Sequence, residues 1–219
     1  MIIAENIHKL YEKNHILKGI NLRIDQGEIV SLVGASGAGK TTLLQILGTI
    51  DVPEKNHKSK LILNNKKISE FNSNELANFR NQEIGFVFQF HQLLPEFSVI
   101  ENICIPAFIN KTPRVIAESR ANELINYLGL ENRVNNKPNE LSGGEKQRVA
   151  VARALINNPS IILADEPSGN LDSKTSNSLH DLFSDLRKDF KYTFVIATHD
   201  VSLAKKSDRI LQISDGIIN

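Results

Sequence analysis

A glycine-rich stretch at residues 34–41 constrains this chain more than any other segment. Its sequence, GASGAGKT, has a glycine, four free positions and then Gly-Lys-Thr, a pattern that binds nucleotide phosphates. The glycines allow successive backbone N–H groups to turn inward around phosphate oxygens, in a conformation that a Cβ would obstruct. In this pattern Lys40 is expected to reach the β- and γ-phosphates, and the Thr41 hydroxyl to bind Mg²⁺. The alternative is an ordinary glycine-rich turn, and a nucleotide site is the better interpretation.

The flanks of this loop predict a strand-to-helix turn. Residues 27–33 read as a buried strand that runs into the loop, and apolar residues recur at helical spacing from Thr41 to Ile50. The phosphates are then expected at a helix N-terminus, where free N–H groups favour anions. The residues predicted to hold the nucleotide here are Gly34, Ala35, Ser36, Gly37, Ala38, Gly39, Lys40, Thr41 and Thr42.

Bulk properties exclude several classes of protein. The chain has 219 residues and a formal net charge of +1 at pH 7, so its charge gives no reason to expect a nucleic-acid partner. The single cysteine, Cys104, lies in an apolar run and is expected to pack in the core. No apolar run approaches the roughly 18 residues that a bilayer span needs, and residues 1–6 lack a secretory signal. If the protein works at a membrane, we expect another chain to hold it there.

The order of apolar patterns predicts an α/β fold. Short apolar runs alternate with helical patterns, which is typical of a parallel central sheet. The first thirty residues differ, because they read as three strands of a small antiparallel sheet, at 2–7, 16–22 and 28–33. A hairpin over residues 61–68, with its turn at Asn64 and Asn65, is expected to join that sheet.

The middle of the chain reads mostly as helix. In one of these helices Val115, Ile116, Leu124, Ile125 and Leu128 are predicted to share a buried face. We therefore predict one domain over residues 1–219, in which a core with an antiparallel β subdomain (1–88) is interrupted by a helical subdomain (about 89–157) and resumes at 158–219.

A second motif follows in the helical region. Leu141-Ser142-Gly143-Gly144 opens a helix, and an apolar run at 161–164 then ends in Asp165 and Glu166. The Ser142 hydroxyl and the free N–H groups of the two glycines form a second anion site at a helix N-terminus. One chain thus carries two phosphate-binding helix ends.

With these two motifs the sequence resembles the ATP-binding cassette (ABC) ATPases over essentially its whole length. The resemblance implies a RecA-like P-loop NTPase core with an inserted helical subdomain, which binds ATP and Mg²⁺ and hydrolyses ATP. It also implies an ATP-dependent head-to-tail homodimer, in which each ATP lies between the Lys40 loop of one subunit and the Ser142 loop of the other. Hydrolysis would then be coupled to opening and closing of the dimer.

The resemblance assigns the catalytic and metal roles residue by residue. Glu166 corresponds to the glutamate that polarises the attacking water, and His199 to the histidine that contacts the γ-phosphate. Asp165 corresponds to the carboxylate that holds Mg²⁺ through water, together with Thr41. Gln89 matches the glutamine that touches both Mg²⁺ and the water. With Lys40, these residues would stabilise the charge on the leaving phosphoryl group.

The remaining binding residues follow from the same resemblance. Tyr11 corresponds to the aromatic residue that stacks on adenine, and Asp172 lies in the loop that forms the dimer interface. Glu145 stands where many family members have glutamine, which affects a contact on the ribose side. The predicted set in this second half is Ser142, Gly143, Gly144, Glu145 and Asp172.

Two segments, 88–97 and 166–172, indicate which subgroup of the ABC ATPases the sequence resembles most. They are similar to the group of lipoprotein-releasing, macrolide-exporter and cell-division ATPases, and residues 91–97 are most similar to the lipoprotein-releasing subunits. This implies a peripheral subunit at the cytoplasmic face of the bacterial inner membrane that binds transmembrane permease subunits. An apolar lip formed by Phe90, Leu93, Leu94 and Phe97 is the expected docking surface.

Other functions stay open from the sequence. A related macrolide-exporter or cell-division complex is the nearest alternative. A soluble ABC ATPase acting on ribosomes or DNA is a second, although such proteins usually carry two cassettes or a long coiled coil. A nucleotide-binding regulator without turnover is a third, against which the presence of Glu166 and His199 argues.

Overall fold

Two β-sheets and six α-helices make up the part of the chain that the computed structural model describes, residues 1–54, 57–200 and 204–218. The strands are β1 (Ile2–Tyr11), β2 (Asn14–Ile24), β3 (Ile29–Val33), β4 (Lys60–Leu63), β5 (Lys66–Lys67), β6 (Ile84–Phe88), β7 (Ile161–Asp165), β8 (Thr193–Thr198), β9 (Arg209–Ser214) and β10 (Ile217–Ile218). The helices are α1 (Lys40–Leu47), α2 (Ser73–Glu83), α3 (Val99–Ile109), α4 (Arg114–Tyr127), α5 (Gly143–Leu155) and α6 (Ser173–Phe190).

The larger sheet has the order β10-β9-β3-β8-β7-β6 and is parallel from β9 to β6. Every side chain of β3 and β8 is buried, as expected for strands covered by other elements on both faces. Because the strands run in the same direction, the carboxyl ends of β3, β6, β7 and β8 meet at one edge of the sheet. The predicted α/β fold with a parallel central sheet is confirmed, and this edge carries the candidate site.

The smaller sheet is antiparallel, with the order β2-β1-β4-β5. Its β4–β5 hairpin turns at Asn64 and Asn65, whose φ angles of 49° and 61° are those of a tight two-residue turn. The assignment of residues 28–33 to this sheet was wrong, since β3 pairs in parallel with β8 and β9. A short run of apolar residues without alternation belongs in a fully buried parallel strand.

The helical region between β6 and β7 contains α3, α4 and α5. The predicted buried face of α4 is partly wrong, because the side chains of Val115 and Ile116 are 80% and 59% exposed. The buried face consists instead of Ala117, Ala121, Leu124, Ile125 and Leu128. Two small alanines occupy the correct positions of the helical repeat, whereas Val115 and Ile116 are out of phase with it.

Two predictions about single side chains have clear outcomes. Cys104 is buried in α3 as predicted, and burial raises the pKa of its thiol to about 11. Ile50 does not continue the apolar face of α1, because the helix ends at Leu47 and Ile50 is 51% exposed. Gly48 follows the helix at a point where a Cβ would collide with the ring of Phe86.

Candidate active site

The loop between β3 and α1 depends on its glycines for two different reasons. A Cβ at Gly34 would lie 2.2 Å from the carbonyl oxygen of Ile213, so β9 can pass closely only because the side chain is absent. Gly37 and Gly39 have φ angles of 80° and 105°, which L-residues rarely adopt. The loop thus turns its backbone around Lys40, the first residue of α1.

Lys40 lies inside this loop, with a side chain that is only 7% exposed. Its ammonium group donates to the carbonyl oxygens of Gly34 at 2.8 Å and Ala35 at 3.2 Å. It is also 3.8 Å from the carboxylate of Glu166. The positive charge is therefore held between the loop and the end of β7.

Thr41 and Asp165 place two hard oxygen ligands together. Asp165 is the last residue of β7, and its Oδ1 accepts a hydrogen bond from the Thr41 hydroxyl at 3.2 Å. Burial raises the pKa of Asp165, and the neighbouring Glu166 carboxylate raises it further, while Thr41 and Lys40 oppose the rise. A divalent cation bound here would offset the cost of burying the charged form.

Glu166 adopts an unusual backbone conformation beside Asp165. Its φ is 45°, a left-handed value that costs a non-glycine residue roughly 1 kcal/mol or more. Two backbone bonds hold it there: Glu166 N–H donates to Ala197 O at 2.8 Å, and Gly169 N–H donates to Glu166 O at 3.0 Å. The chain therefore leaves the direction of β7 at Glu166, and the Glu166 side chain points toward Lys40.

His199 contacts Glu166 directly. The Nδ1 atom of His199 lies 2.9 Å from Glu166 Oε2, and its backbone N–H donates to the same oxygen at 3.3 Å. The His199 side chain is 68% exposed and follows β8. The structure therefore brings together the two residues that the resemblance assigned to the γ-phosphate and the attacking water.

These groups line one cavity of about 740 Å³, which lies within the usual size range of ligand pockets. The predicted residues that line it are Tyr11, Ser36, Gly37, Gly39, Lys40, Thr41, Thr42, Gln89, Glu166 and His199, joined by Ile16. A larger groove, of about 950 Å³, is lined mainly by α3 and α4 and contains none of the residues predicted to bind or hydrolyse the nucleotide. The chemistry identifies the smaller cavity as the candidate site.

Tyr11 is fixed at the rim of this cavity by two residues that sequence reasoning missed. Its hydroxyl donates to Asp51 at 2.7 Å, and Lys9 pairs with the same carboxylate at 2.5 Å. The Lys9 ammonium also lies 5.1 Å from the centre of the Tyr11 ring. The hydrogen bond to Asp51 raises the pKa of Tyr11. The ring is 43% exposed, so a base can reach it.

Gln89 follows β6 and is packed against the loop after Glu166. Asn170 donates to the carbonyl oxygen of Gln89 at 3.3 Å, and a Cβ at Gly169 would lie 2.8 Å from Gln89 Nε2. The absence of a side chain at Gly169 is therefore what leaves room for the Gln89 amide in the cavity.

This contact leads to a prediction for Gly169→Ala. The new methyl group would push the flexible end of Gln89 away while leaving the backbone unstrained, so we expect little change in Tm. If Gln89 helps to position the water, turnover should fall by about tenfold or more. Melting by circular dichroism and steady-state ATPase assays measure the two effects. Unchanged turnover would remove Gln89 from the proposed machinery.

The second predicted anion site lies outside the cavity. Ser142 caps α5, accepting a hydrogen bond from Glu145 N–H at 3.3 Å, while Glu145 accepts one from Ser142 N–H at 2.8 Å. Arg133 pairs with Glu145 at 2.7 Å and, as the largest cause, lowers the pKa of Glu145 to about 2. The Ser142 backbone N–H and side chain both hydrogen-bond to Glu145 and also lower its pKa, so the Ser142 hydroxyl is held at the start of α5.

Asp172 is also placed at the start of a helix. It caps α6 by accepting bonds from the N–H groups of Lys174 and Thr175, both at 3.0 Å. The Thr175 hydroxyl donates to the second carboxylate oxygen of Asp172 at 2.6 Å. The cavity of the same chain is not lined by any residue of this second predicted set, which consists of Ser142, Gly143, Gly144, Glu145 and Asp172.

Comparison with known proteins agrees with this geometry. Residues 17–169 match the family model for the ABC transporter. The lipoprotein-releasing system ATP-binding protein LolD of Bacteroides fragilis is 57% identical over 218 residues, covering 100% of both chains. LolD of Porphyromonas gingivalis is 52% identical, covering 100% of this chain and 98% of its own.

Solved structures give the same result. The dimeric structure of MJ0796, described as a bacterial ABC transporter cassette, has a TM-score of 0.89 at 39% identity and covers 100% of this chain and 97% of its own. A dimeric post-hydrolysis state of MJ0796 bound to ADP and Pi has a TM-score of 0.88 at 38% identity, with the same coverage. The resemblance stated from the motifs is confirmed: this chain belongs to the ABC transporter family, as an ATPase subunit.

Proposed function

We propose that this protein hydrolyses Mg²⁺-ATP to drive a transmembrane permease that releases lipoproteins from the bacterial inner membrane. One observation carries the hydrolytic part: Lys40, Thr41, Glu166 and His199 converge on a single cavity, with Asp165 hydrogen-bonded to Thr41. Phosphoryl transfer to water requires positioning and charge neutralisation more than covalent chemistry by the protein. This set of residues has the groups for both tasks.

The triphosphate is held by the loop from Gly34 to Thr42 in this proposal, with Tyr11 against the adenine. Thr41, Asp165 and Gln89 would hold Mg²⁺, since hard oxygen ligands and few protein contacts suit this ion. When bound, Mg²⁺ supplies positive charge beside the β- and γ-phosphates. Lys40 adds a fixed positive charge that is already buried in the loop.

Glu166 is the residue we assign to the attacking water. Its carboxylate is held by His199 on one side and lies 3.8 Å from the Lys40 ammonium on the other. A carboxylate constrained in this way can accept a proton from water along a defined direction. His199 would hold Glu166 in place and contact the γ-phosphate with its exposed ring.

A second copy of the chain completes the site in this proposal. Ser142, Gly143 and Gly144 bring a hydroxyl group and helix N–H groups to the start of α5, yet none lines the cavity of its own chain. These donors are suited to a phosphate that belongs to another subunit. The dimeric state of the MJ0796 cassettes supports the arrangement. Glu145 would lie near the ribose of that nucleotide. The loop that ends at Asp172 would lie in the interface between the two copies.

The membrane partner is proposed from the relatives and from one exposed surface. Proteins named as lipoprotein-releasing subunits match the whole chain at 57% and 56% identity. None of the helices in the described ranges combines the length and apolar character that a bilayer span requires. From the named relatives we assign the protein to the cytoplasmic face of the inner membrane, bound through permease subunits.

The apolar lip after Gln89 is the proposed docking surface. Phe90 is 71% exposed, and Leu94 and Phe97 are 43% and 41% exposed. Leu93 is half-buried and packs against the core. Exposed aromatic residues grouped in this way are characteristic of a protein–protein interface.

We expect Phe90→Asp to prevent co-purification with the permease. The substitution places a charge in a surface that must be desolvated on docking, while its 71% exposure keeps the effect on stability small. The matched control is Val115→Asp in α4, which starts 80% exposed. Co-expression of a tagged chain with its permease, followed by affinity purification and identification of the bound membrane protein, measures the effect.

The outcomes of this experiment separate the two parts of the proposal. Capture of a permease by the wild type and by Val115→Asp, but not by Phe90→Asp, supports the docking surface. Equal capture of the permease by all three proteins would exclude the apolar lip as the docking surface. A bound protein unrelated to lipoprotein release would exclude the proposed cargo while leaving the ATPase role in place.

A further inference from the structure

Three of the chain's six histidines lie together at the antiparallel sheet, and one of them, His57, is more than 40 positions away from the other two in the sequence. His8 lies in β1, His15 in β2 and His57 in the segment before β4. The ring centres of His8 and His15 are 5.2 Å apart, and His57 stacks on His8 at 4.0 Å. None of the three lines the nucleotide cavity, so the proposed ATPase mechanism leaves this cluster without a role.

Hydrogen bonds determine which ring nitrogen of His8 carries the proton. The Asn6 amide nitrogen donates to the carbonyl oxygen of His57, so its Oδ1 atom faces His8 and accepts from His8 Nε2 at 3.0 Å. Neutral His8 therefore keeps its lone pair on Nδ1, which lies 3.0 Å from His15 Nε2. The His8 Nδ1 lone pair therefore accepts a hydrogen bond from His15 Nε2–H.

The backbone around His8 is irregular in a way that accommodates the cluster. Asn6 has a φ of 53°, and the pairing of β1 with β2 shifts register on both sides of Ile7. Gly19, with a φ of 87°, lies opposite, where a Cβ would be 3.2 Å from His8 Nε2. Strand irregularities of this kind re-aim a side chain, and here they place the His8 ring between the other two.

We propose that His8 and His15, with His57 as a third ligand, bind one divalent transition-metal cation of the Zn²⁺, Ni²⁺ or Cu²⁺ class. Two nitrogens bound at 2.0–2.1 Å to a tetrahedral ion are roughly 3.3 Å apart, close to the 3.0 Å between His8 Nδ1 and His15 Nε2. Imidazole suits these metals, whereas Mg²⁺ and Ca²⁺ prefer oxygen. This site is therefore chemically distinct from the proposed Mg²⁺ position beside Thr41.

Binding requires two local changes. Within the described ranges, no three His, Cys, Asp or Glu side chains are already arranged around a metal position. In the cluster, the His57 ring lies nearly parallel to that of His8, at 17°. The His57 ring must turn out of this stack, and His15 must present a lone pair on Nε2 in place of its hydrogen. Both are side-chain adjustments that leave the strands in place.

A bound ion would connect β1, β2 and the segment before β4. Tyr11 is the last residue of β1, the strand that carries His8. The backbone of His8 is also tied to the segment after α1, because Glu54 N–H donates to the His8 carbonyl oxygen at 2.8 Å. A ligand that binds only the folded chain stabilises it in proportion to its concentration. We therefore expect the ion to raise Tm.

The test uses the full chain without a polyhistidine tag, titrated with ZnSO₄ or NiCl₂ at pH 7.5 by isothermal calorimetry. We expect about one ion per chain, and an affinity at least about tenfold lower in the double variant His8→Gln/His15→Gln. The matched control is His91→Gln, a histidine outside the cluster, which should bind as the wild type does. Zn²⁺ should raise the Tm of the wild type and of the control but not that of the double variant.

A second measurement works on the unmodified chain. In ¹⁵N imidazole NMR spectra, addition of Zn²⁺ should shift the resonances of His8, His15 and His57 and leave His91 and His180 unchanged. Absence of binding by the wild type, equal affinity in the double variant, or shifts confined to other histidines would each overturn the proposal. The outcome is independent of ATP hydrolysis, so it does not depend on the proposed transporter function.

Discussion

Glu166→Gln should bind Mg²⁺-ATP but hydrolyse it about 10²–10⁴-fold more slowly than the wild type, the usual contribution of a positioned general base. The amide has the same shape as the carboxylate and can still accept the hydrogen bond from the His199 backbone N–H. It cannot take a proton from water, so the chemical step is lost while the binding site is kept. ATP affinity should change by only a few-fold.

Turnover under saturating ATP and affinity for a fluorescent ATP analogue measure the two quantities separately. The matched control is Glu70→Gln, the same change on a carboxylate that is 65% exposed and pairs with Lys67. Glu70→Gln should retain wild-type turnover. Because ATP would persist, Glu166→Gln should also accumulate as a dimer in size-exclusion chromatography with Mg²⁺-ATP. Turnover within about threefold of the wild type would exclude Glu166 as the base.

Ser142→Asp should abolish most of the ATPase activity without unfolding the protein. Aspartate caps a helix about as well as serine, so α5 should remain intact and Tm should change by less than about 2 °C. The new carboxylate, however, would oppose the negative charge of the γ-phosphate where a hydroxyl donor is needed. Loss of such a donor costs about 10²–10³-fold in turnover, and the added repulsion should place the effect at the upper end.

Ser142→Asn is the matched control for this experiment. Asparagine caps equally well but carries no charge, so its turnover should lie between those of the wild type and Ser142→Asp. Steady-state assays at saturating ATP and thermal melts of all three proteins supply the comparison. Equal turnover in Ser142→Asp and Ser142→Asn would show that a negative charge at position 142 does not lie close to a phosphate.

Local motifs explain how much of the site could be predicted. The phosphate loop, the Asp165-Glu166 pair and Ser142 each belong to a short motif. The structure places these motifs before a helix, at the end of a strand and at the start of a helix, as predicted. Sequence spacing says nothing about contacts between distant polar residues. The pairing of Asp51 with Lys9 and Tyr11 spans 42 and 40 positions and was missed, because one polar contact leaves no periodic signal.

Errors in the fold have equally specific causes. Helix α2 was not predicted, because only Phe79 of its eleven residues is buried and it lacks an apolar face. The capping pair of Asn72 and Glu75 was the available signal. Val115 and Ile116 were assigned to the core of α4 because they are apolar, whereas the helical repeat places smaller residues there.

The central claim is that each nucleotide is enclosed half by one copy of the chain and half by the other. Mixing Ser142→Asp with Glu166→Gln tests it most directly, since each variant alone should be nearly inactive. In a mixed dimer, the Ser142→Asp chain keeps its own Glu166 and receives an intact Ser142 from its partner, so one complete site forms. An equal mixture should then recover about a quarter of the wild-type ATPase rate if the sites act independently. No recovery in a mixture shown to contain mixed dimers would contradict the account.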